Sequence, residues 1–143
     1  MKASLKGLGM IPLVAAIALF LVGCGQSKVR ISGRLEWQDG KPAAELAEGQ
    51  IIFESADSRV SARGVIGKDA IFQINTEGPD DGVMPGEYQV AIVEHRPAAE
   101  GSTKLPLQHL KDKYYSFNTS GLTATVAFGK PPLVLKLERI GTK

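Results

Sequence analysis

The sequence predicts an all-β protein, with seven short strands packed as a two-layer Greek-key β-sandwich. Three observations point to it. After residue 28, apolar side chains recur with period two in short runs. Clusters of Gly, Pro, Asp and Asn separate those runs. The only helical spacing beyond residue 28 is one short turn in residues 107–115. A chain of this kind, about 110 residues long, can bury one core. A small closed barrel is the alternative arrangement.

The elements follow in order. Val29, Ile31, Gly33, Leu35 and Trp37 alternate with Arg30, Ser32, Arg34 and Glu36, the pattern of a half-buried strand. "DGKP" at 39–42 is a turn signal, and "QIIFE" at 50–54 is the second strand. Residues 61–66 form a weaker third strand. "GKD" at 67–69 turns it into a fourth, "AIFQI" at 70–74, with the spacing of a hairpin. "EGPDDG" at 77–82 is a loop on every local criterion. Pro85 and Gly86 set a tight turn, and a strand begins at Glu87 in which Tyr88, Val90 and Ile92 share one face. Tyr88 stands where a tyrosine corner has its tyrosine, whose hydroxyl bonds back to loop backbone.

Residues 94–117 make the longest connection, and a long connection in a small domain is either packed or functional. Within it Leu107, Leu110 and Tyr114 are spaced three and four apart, as on a helical turn covering one edge of the core. The last two strands are 122–128, with Leu122, Ala124, Val126 and Phe128 alternating, and 133–138, with Leu133, Leu135 and Leu137. "GKPP" at 129–132 turns between them. There is no internal repeat.

Charge excludes one class of partner. The chain carries 17 basic and 15 acidic side chains, but Lys2 and Lys6 precede any acidic residue. The remaining 15 basic and 15 acidic groups cancel, so no basic field of the kind that captures nucleic acid exists.

Lys2 and Lys6 open a segment with the layout of a secretory signal peptide, residues 1–23. Its apolar run, "LGMIPLVAAIALFLV", is 15 residues long. At ~1.5 Å per residue that is ~22 Å, short of the ~30 Å hydrocarbon core that a permanent span must cross. Pro12 further interrupts a helix there. The run ends at Gly23 and at Cys24, the single cysteine of the chain. A lone cysteine makes no internal disulfide, which a domain of this size does not need.

Leu21-Val22-Gly23-Cys24 resembles the bacterial lipobox at all four positions. The resemblance implies a covalent lipid on the Cys24 thiol, cleavage between Gly23 and Cys24, and acylation of the new amino terminus. The chemistry calls for a nucleophilic thiol. One acyl chain binds a membrane only marginally, whereas several anchor it stably. Gly25 stands where Asp would favour inner-membrane retention in that family, so the outer membrane is favoured. The expected organisation is a signal peptide over 1–23, a lipidated tether over 24–28 and a sandwich domain over 29–143.

Further motifs extend the resemblance. "VRISGRL" from Val29 leading to "DGKP" is similar to a "V-x-G-x-V-x-x-x-G-x-P" first hairpin. "GVMPGEYQV" at 82–90 is similar to a "P-G-x-Y-x-V" element, and "KYYSFNTSGLTATV" at 113–126 to a "K-Y-x-x-x-x-T-S-G-L-T" segment. Together these resemble bacterial lipoproteins that carry a transthyretin-like, or carboxypeptidase regulatory-like, domain. That family implies a seven-stranded prealbumin-like sandwich and no catalytic residues, because the related carboxypeptidases keep their zinc and catalytic groups in a separate domain. "AAELAE" at 43–48 departs from the family pattern.

The remaining residues weigh toward structure. His95 and His109 are the only histidines, and a zinc site needs three or four ligands; neither a metal nor any other cofactor is expected. Asp80 and Asp81 before Gly82 lack the alternating ligands of a calcium loop and read as a solvated turn. Ser120 is in no nucleophile elbow and reads as a turn hydroxyl ahead of a strand. Trp37, Tyr114 and Tyr115 are the candidate binding surface, able to stack on sugar rings or on a partner; the competing reading buries them in the core and under the long connection. The expectation is therefore a non-enzymatic, lipid-anchored module facing the periplasm or cell surface. It would bind or brace an envelope protein or polymer. A small-ligand or carbohydrate-binding lipoprotein is the alternative.

Overall fold

The computed structural model describes residues 27–57, 59–97, 101 and 107–141. Its seven strands form two facing sheets. One holds β4 (Ile71–Ile74), β1 (Ile31–Trp37) and β7 (Leu133–Leu137) in that order. The other holds β3 (Ser61–Val65), β2 (Gln50–Ser55), β5 (Gly86–Val93) and β6 (Leu122–Val126). The fold is the predicted β-sandwich. The chain changes sheet between β1 and β2, β3 and β4, β4 and β5, and β6 and β7. First and last strands meet as a parallel pair, with Leu35 opposite Leu135 and Trp37 opposite Leu137.

Period two decides which faces meet. Ile31, Leu35 and Trp37 of β1 point inward while Ser32 and Arg34 point out. Ile51 and Phe53 of β2, Phe72 and Ile74 of β4, and Val90 and Ile92 of β5 complete the core. Phe53 is at its centre, edge-on to Phe72 of the opposite sheet at 6.4 Å and tilted against Tyr88 at 5.9 Å. The tyrosine corner forms: the Tyr88 hydroxyl donates to the Met84 carbonyl at 2.8 Å.

The turn after β3 forms as a hairpin turn, with the Ala70 amide donating to the Gly67 carbonyl at 3.0 Å. The strands it joins nevertheless belong to different sheets. They stay linked along a seam, where Arg63 and Asn75 exchange both backbone hydrogen bonds. Gly64 permits this approach, because a Cβ there would lie 2.1 Å from the Gln73 carbonyl oxygen.

Two expectations fail at element ends. Phe128 does not alternate inward. Strand β6 stops at Val126, opposite Gly86, and the Phe128 ring is 64% exposed. The next residue on the partner strand, Pro85, has no N–H to offer a ladder. Leu107 is 81% exposed and is not part of a helical stripe. The helical turns begin later, as a 3-10 turn over Asp112–Tyr115 and a single-turn helix α1 over Phe117–Ser120; Leu110 and Tyr114 alone carry the apolar cover. The departing "AAELAE" stretch folds as a 3-10 turn, Ala44–Leu46, which plugs the core with Ala43 and Leu46.

Candidate functional site

The sandwich has two chemically distinct ends, one where the chain enters and one opposite. At the entry end, Val29 and Val83 exchange backbone hydrogen bonds of 2.7 and 2.8 Å. Asp81 fastens the neighbouring loop. Its carboxylate accepts from the Thr76 and Glu77 amides, each at 2.9 Å, and from Lys28 Nζ at 2.8 Å. The Lys28 bond and the two amides hold its pKa well below the usual carboxylate range. Asp81 is thus a loop organiser rather than the solvated turn residue expected; spacing along the chain does not reveal a lysine 53 residues away. Beside this clasp, Ser27, Met84, Pro85 and Phe128 line an open groove of about 390 Å³. Gly23 and Cys24, the expected cleavage and lipidation positions, lie outside the described residues.

The opposite end gathers the candidate aromatic residues, but not as a surface. Trp37 is 1% exposed. Its indole N–H donates to Glu45 Oε2 at 2.9 Å, and the Arg139 guanidinium lies over the ring at 4.7 Å while bonding Glu45 Oε1 at 2.9 Å. Burial pushes the Glu45 pKa up, but the Trp37 hydrogen bond, a backbone amide and Arg139 outweigh it and hold it low. Tyr114 is 3% exposed, and its hydroxyl accepts the Glu138 amide at 3.1 Å. Neither ring presents a face for stacking, which corrects that part of the candidate surface. The turn at 44–46 and Arg139 enclose the Trp37 ring, and the Tyr114 hydroxyl is held by the segment after β7. Tyr115 alone is partly open, with Arg96 5.9 Å above its ring.

Sequence reasoning missed the most unusual group at this end. Glu94 has a side chain only 1% exposed. As a carboxylate it accepts from the His109 amide at 2.8 Å, from His109 Nδ1 at 3.0 Å and from the Tyr115 hydroxyl at 2.7 Å. That arrangement places the imidazole proton on Nδ1 and leaves Nε2 as the outward nitrogen. Burial, then the bond to Glu94, pushes the Tyr115 hydroxyl up to about 12. A signal for Glu94 was present. Tyr88, Val90 and Ile92 share an inward face, and two more residues along that alternation is Glu94. Glu138 makes a second clasp nearby. It accepts from Lys111 and, at 2.7 Å, from Lys113, and these bonds hold its pKa down to about 2.

These clasps share a consequence. Glu94, His109 and Tyr115 all belong to the long connection, so the buried carboxylate ties that connection back onto the end of β5. A carboxylate orienting a half-exposed imidazole is also the supporting half of a general-base arrangement. The hydroxyl that a nucleophile would need is not there in Ser120, which is buried and accepts the Leu122 amide at 3.2 Å. His95 sits apart, 3.4 Å from Glu48. Among the described residues, no three His, Cys, Asp or Glu side chains converge as a metal site. No helix among them is long and apolar enough to cross a membrane.

An open groove of about 520 Å³ runs along the β3–β4 seam between Gln50, Arg63, Gln73, Asn75 and Glu77. It is amide-rich and has no aromatic lining. No family model, curated protein or solved structure matches the chain.

Proposed function

We propose that the protein is an exported lipoprotein of the bacterial envelope, a transthyretin-like β-sandwich held at a membrane surface through a lipid on Cys24. It binds or braces an envelope protein or polymer and has no catalytic role. The observation that carries this reading is the junction between lipobox and fold. Four residues after Cys24, Lys28 is already paired with Asp81, and Val29 is already bonded to Val83. The folded domain therefore begins directly behind the lipidation motif, as a display module would.

The small-ligand alternative draws on the groove at the β3–β4 seam, where Gln50, Gln73 and Asn75 offer donors and acceptors. It loses the aromatic platform that would favour sugars, since Trp37 and Tyr114 are enclosed. Fractionation of expressing bacteria tests the anchor. The full chain is expected in the membrane fraction and in the detergent phase on cloud-point separation. The Cys24→Ser variant is expected to lose the detergent partition. Equal partition of the two chains would contradict a Cys24 anchor.

A further inference from the structure

We propose that the entry end of the sandwich docks on the lipid surface itself, with Phe128 inserted at headgroup level and the groove of Ser27, Met84, Pro85 and Phe128 turned toward the bilayer. This rests on the anchor reading above. Chain length forces the proximity. Ser27 is three residues on from Cys24, a reach of at most ~11 Å even when fully extended. With acyl chains in the hydrocarbon, Cys24 sits at the inner edge of a headgroup layer about 5–8 Å deep on each side. Ser27, and the groove it lines, therefore cannot stand far above that layer.

The chemistry of this end suits the position. The Phe128 ring is 64% exposed, two residues past the end of β6. Pro131 and Pro132 are exposed on the same loop, and their fixed φ angles limit its freedom, so little conformational entropy opposes insertion. An aromatic ring beside lysine is a suitable interfacial anchor, and Lys130 is exposed next to Gly129. Electrostatics is a minor contributor. Lys28 is neutralised by Asp81, and Asp57 and Glu87 line the adjoining groove. Docking is thus mainly apolar and is expected on zwitterionic as well as anionic lipid.

Site-directed spin labelling of the mature full chain tests this. Lipidation consumes the only native thiol, so Phe128→Cys and Ile140→Cys each offer one labelling site, at the entry end and the opposite end. Both proteins are reconstituted in phosphatidylethanolamine–phosphatidylglycerol vesicles, and their lipid status is read by intact mass. The label at 128 is expected to lose most of its collisions with a water-soluble nickel chelate and to gain collisions with oxygen. The label at 140 is expected to remain open to the chelate. Equal chelate access at both positions on chains that carry the lipid would overturn the docking and leave the anchor standing. Chains without the lipid mass would overturn the anchor, and the docking with it.

Discussion

Trp37 and Phe128 are both aromatic residues at the end of a strand, and the molecule treats them oppositely. Trp37 ends β1 at the far end and is 1% exposed; Phe128 follows β6 at the entry end and is 64% exposed. The difference lies in what closes over each ring. The turn at Ala44–Leu46 brings Glu45 to the indole nitrogen, and Arg139 covers its face. At the entry end the ladder stops at Gly86 and Val126, and among the described residues no element closes over Phe128. Both ends carry internal carboxylate clasps, Asp81 at the entry end and Glu45, Glu94 and Glu138 at the far end, but only at the far end does one close over an aromatic ring. The entry end leaves the Phe128 ring exposed. Aromatic residue type therefore says little about role; the elements that arrive from elsewhere in the chain decide it.

The sharpest way to break this comparison is to truncate the two rings. Trp37→Ala removes a fully enclosed ring and is expected to lower stability by about 3–5 kcal/mol in urea unfolding. A loss of only a few tenths would return Trp37 to the surface. Next is Glu94→Ala. It leaves the part-buried His109 amide without its acceptor, and an unfolding free energy lower by about 1–3 kcal/mol is expected. Hydrogen exchange at the His109 amide should rise with it, since its partner is Glu94 Oε1.

A third effect compares the carboxylate clasps at the two ends through pH. Glu138 is held down to about 2 and Asp81 well below its usual value. A group with a depressed folded pKa contributes stability that is complete above its unfolded pKa, ~4, and lost as pH falls through the folded one. Stability should therefore decline from about pH 4.5 toward pH 2. Glu138→Gln and Asp81→Asn should each flatten that slope independently, because they lie at opposite ends. An unchanged acid slope in either variant would mean that the clasp is absent in solution. The smallest effect belongs to Phe128→Ser, expected within ~0.5 kcal/mol of the parent in thermal melts without lipid, as for an exposed side chain.

Much of the fold was legible because its signals are local. Alternation located the seven strands, and Tyr88 after Pro85-Gly86 announced its own corner. What stayed hidden depends on partners far along the chain. Nothing near Asp81 points to Lys28, and nothing near residue 37 says that Arg139 will cover its ring. The parallel pairing of β1 with β7 joins the two ends of the domain, beyond the reach of any turn signal. Phe128 misled because alternation describes side chains, whereas a ladder ends with its partner's backbone, here at Gly86, ahead of Pro85, which has no N–H. Glu94 could have been found by extending the β5 alternation two residues past its apolar part. Its partners, His109 and Tyr115, could not.

Intact-mass spectrometry tests the lipid on Cys24 most directly. The protein would be purified from membranes of a cell that matures lipoproteins, beside its Cys24→Ala variant. A chain that begins at Cys24 and carries added diacylglyceryl and acyl mass, with neither modification in the variant, is the predicted result. An unmodified chain, or one that keeps residues 1–23, would contradict the anchor and leave a β-sandwich whose exposed Phe128 needs a different partner.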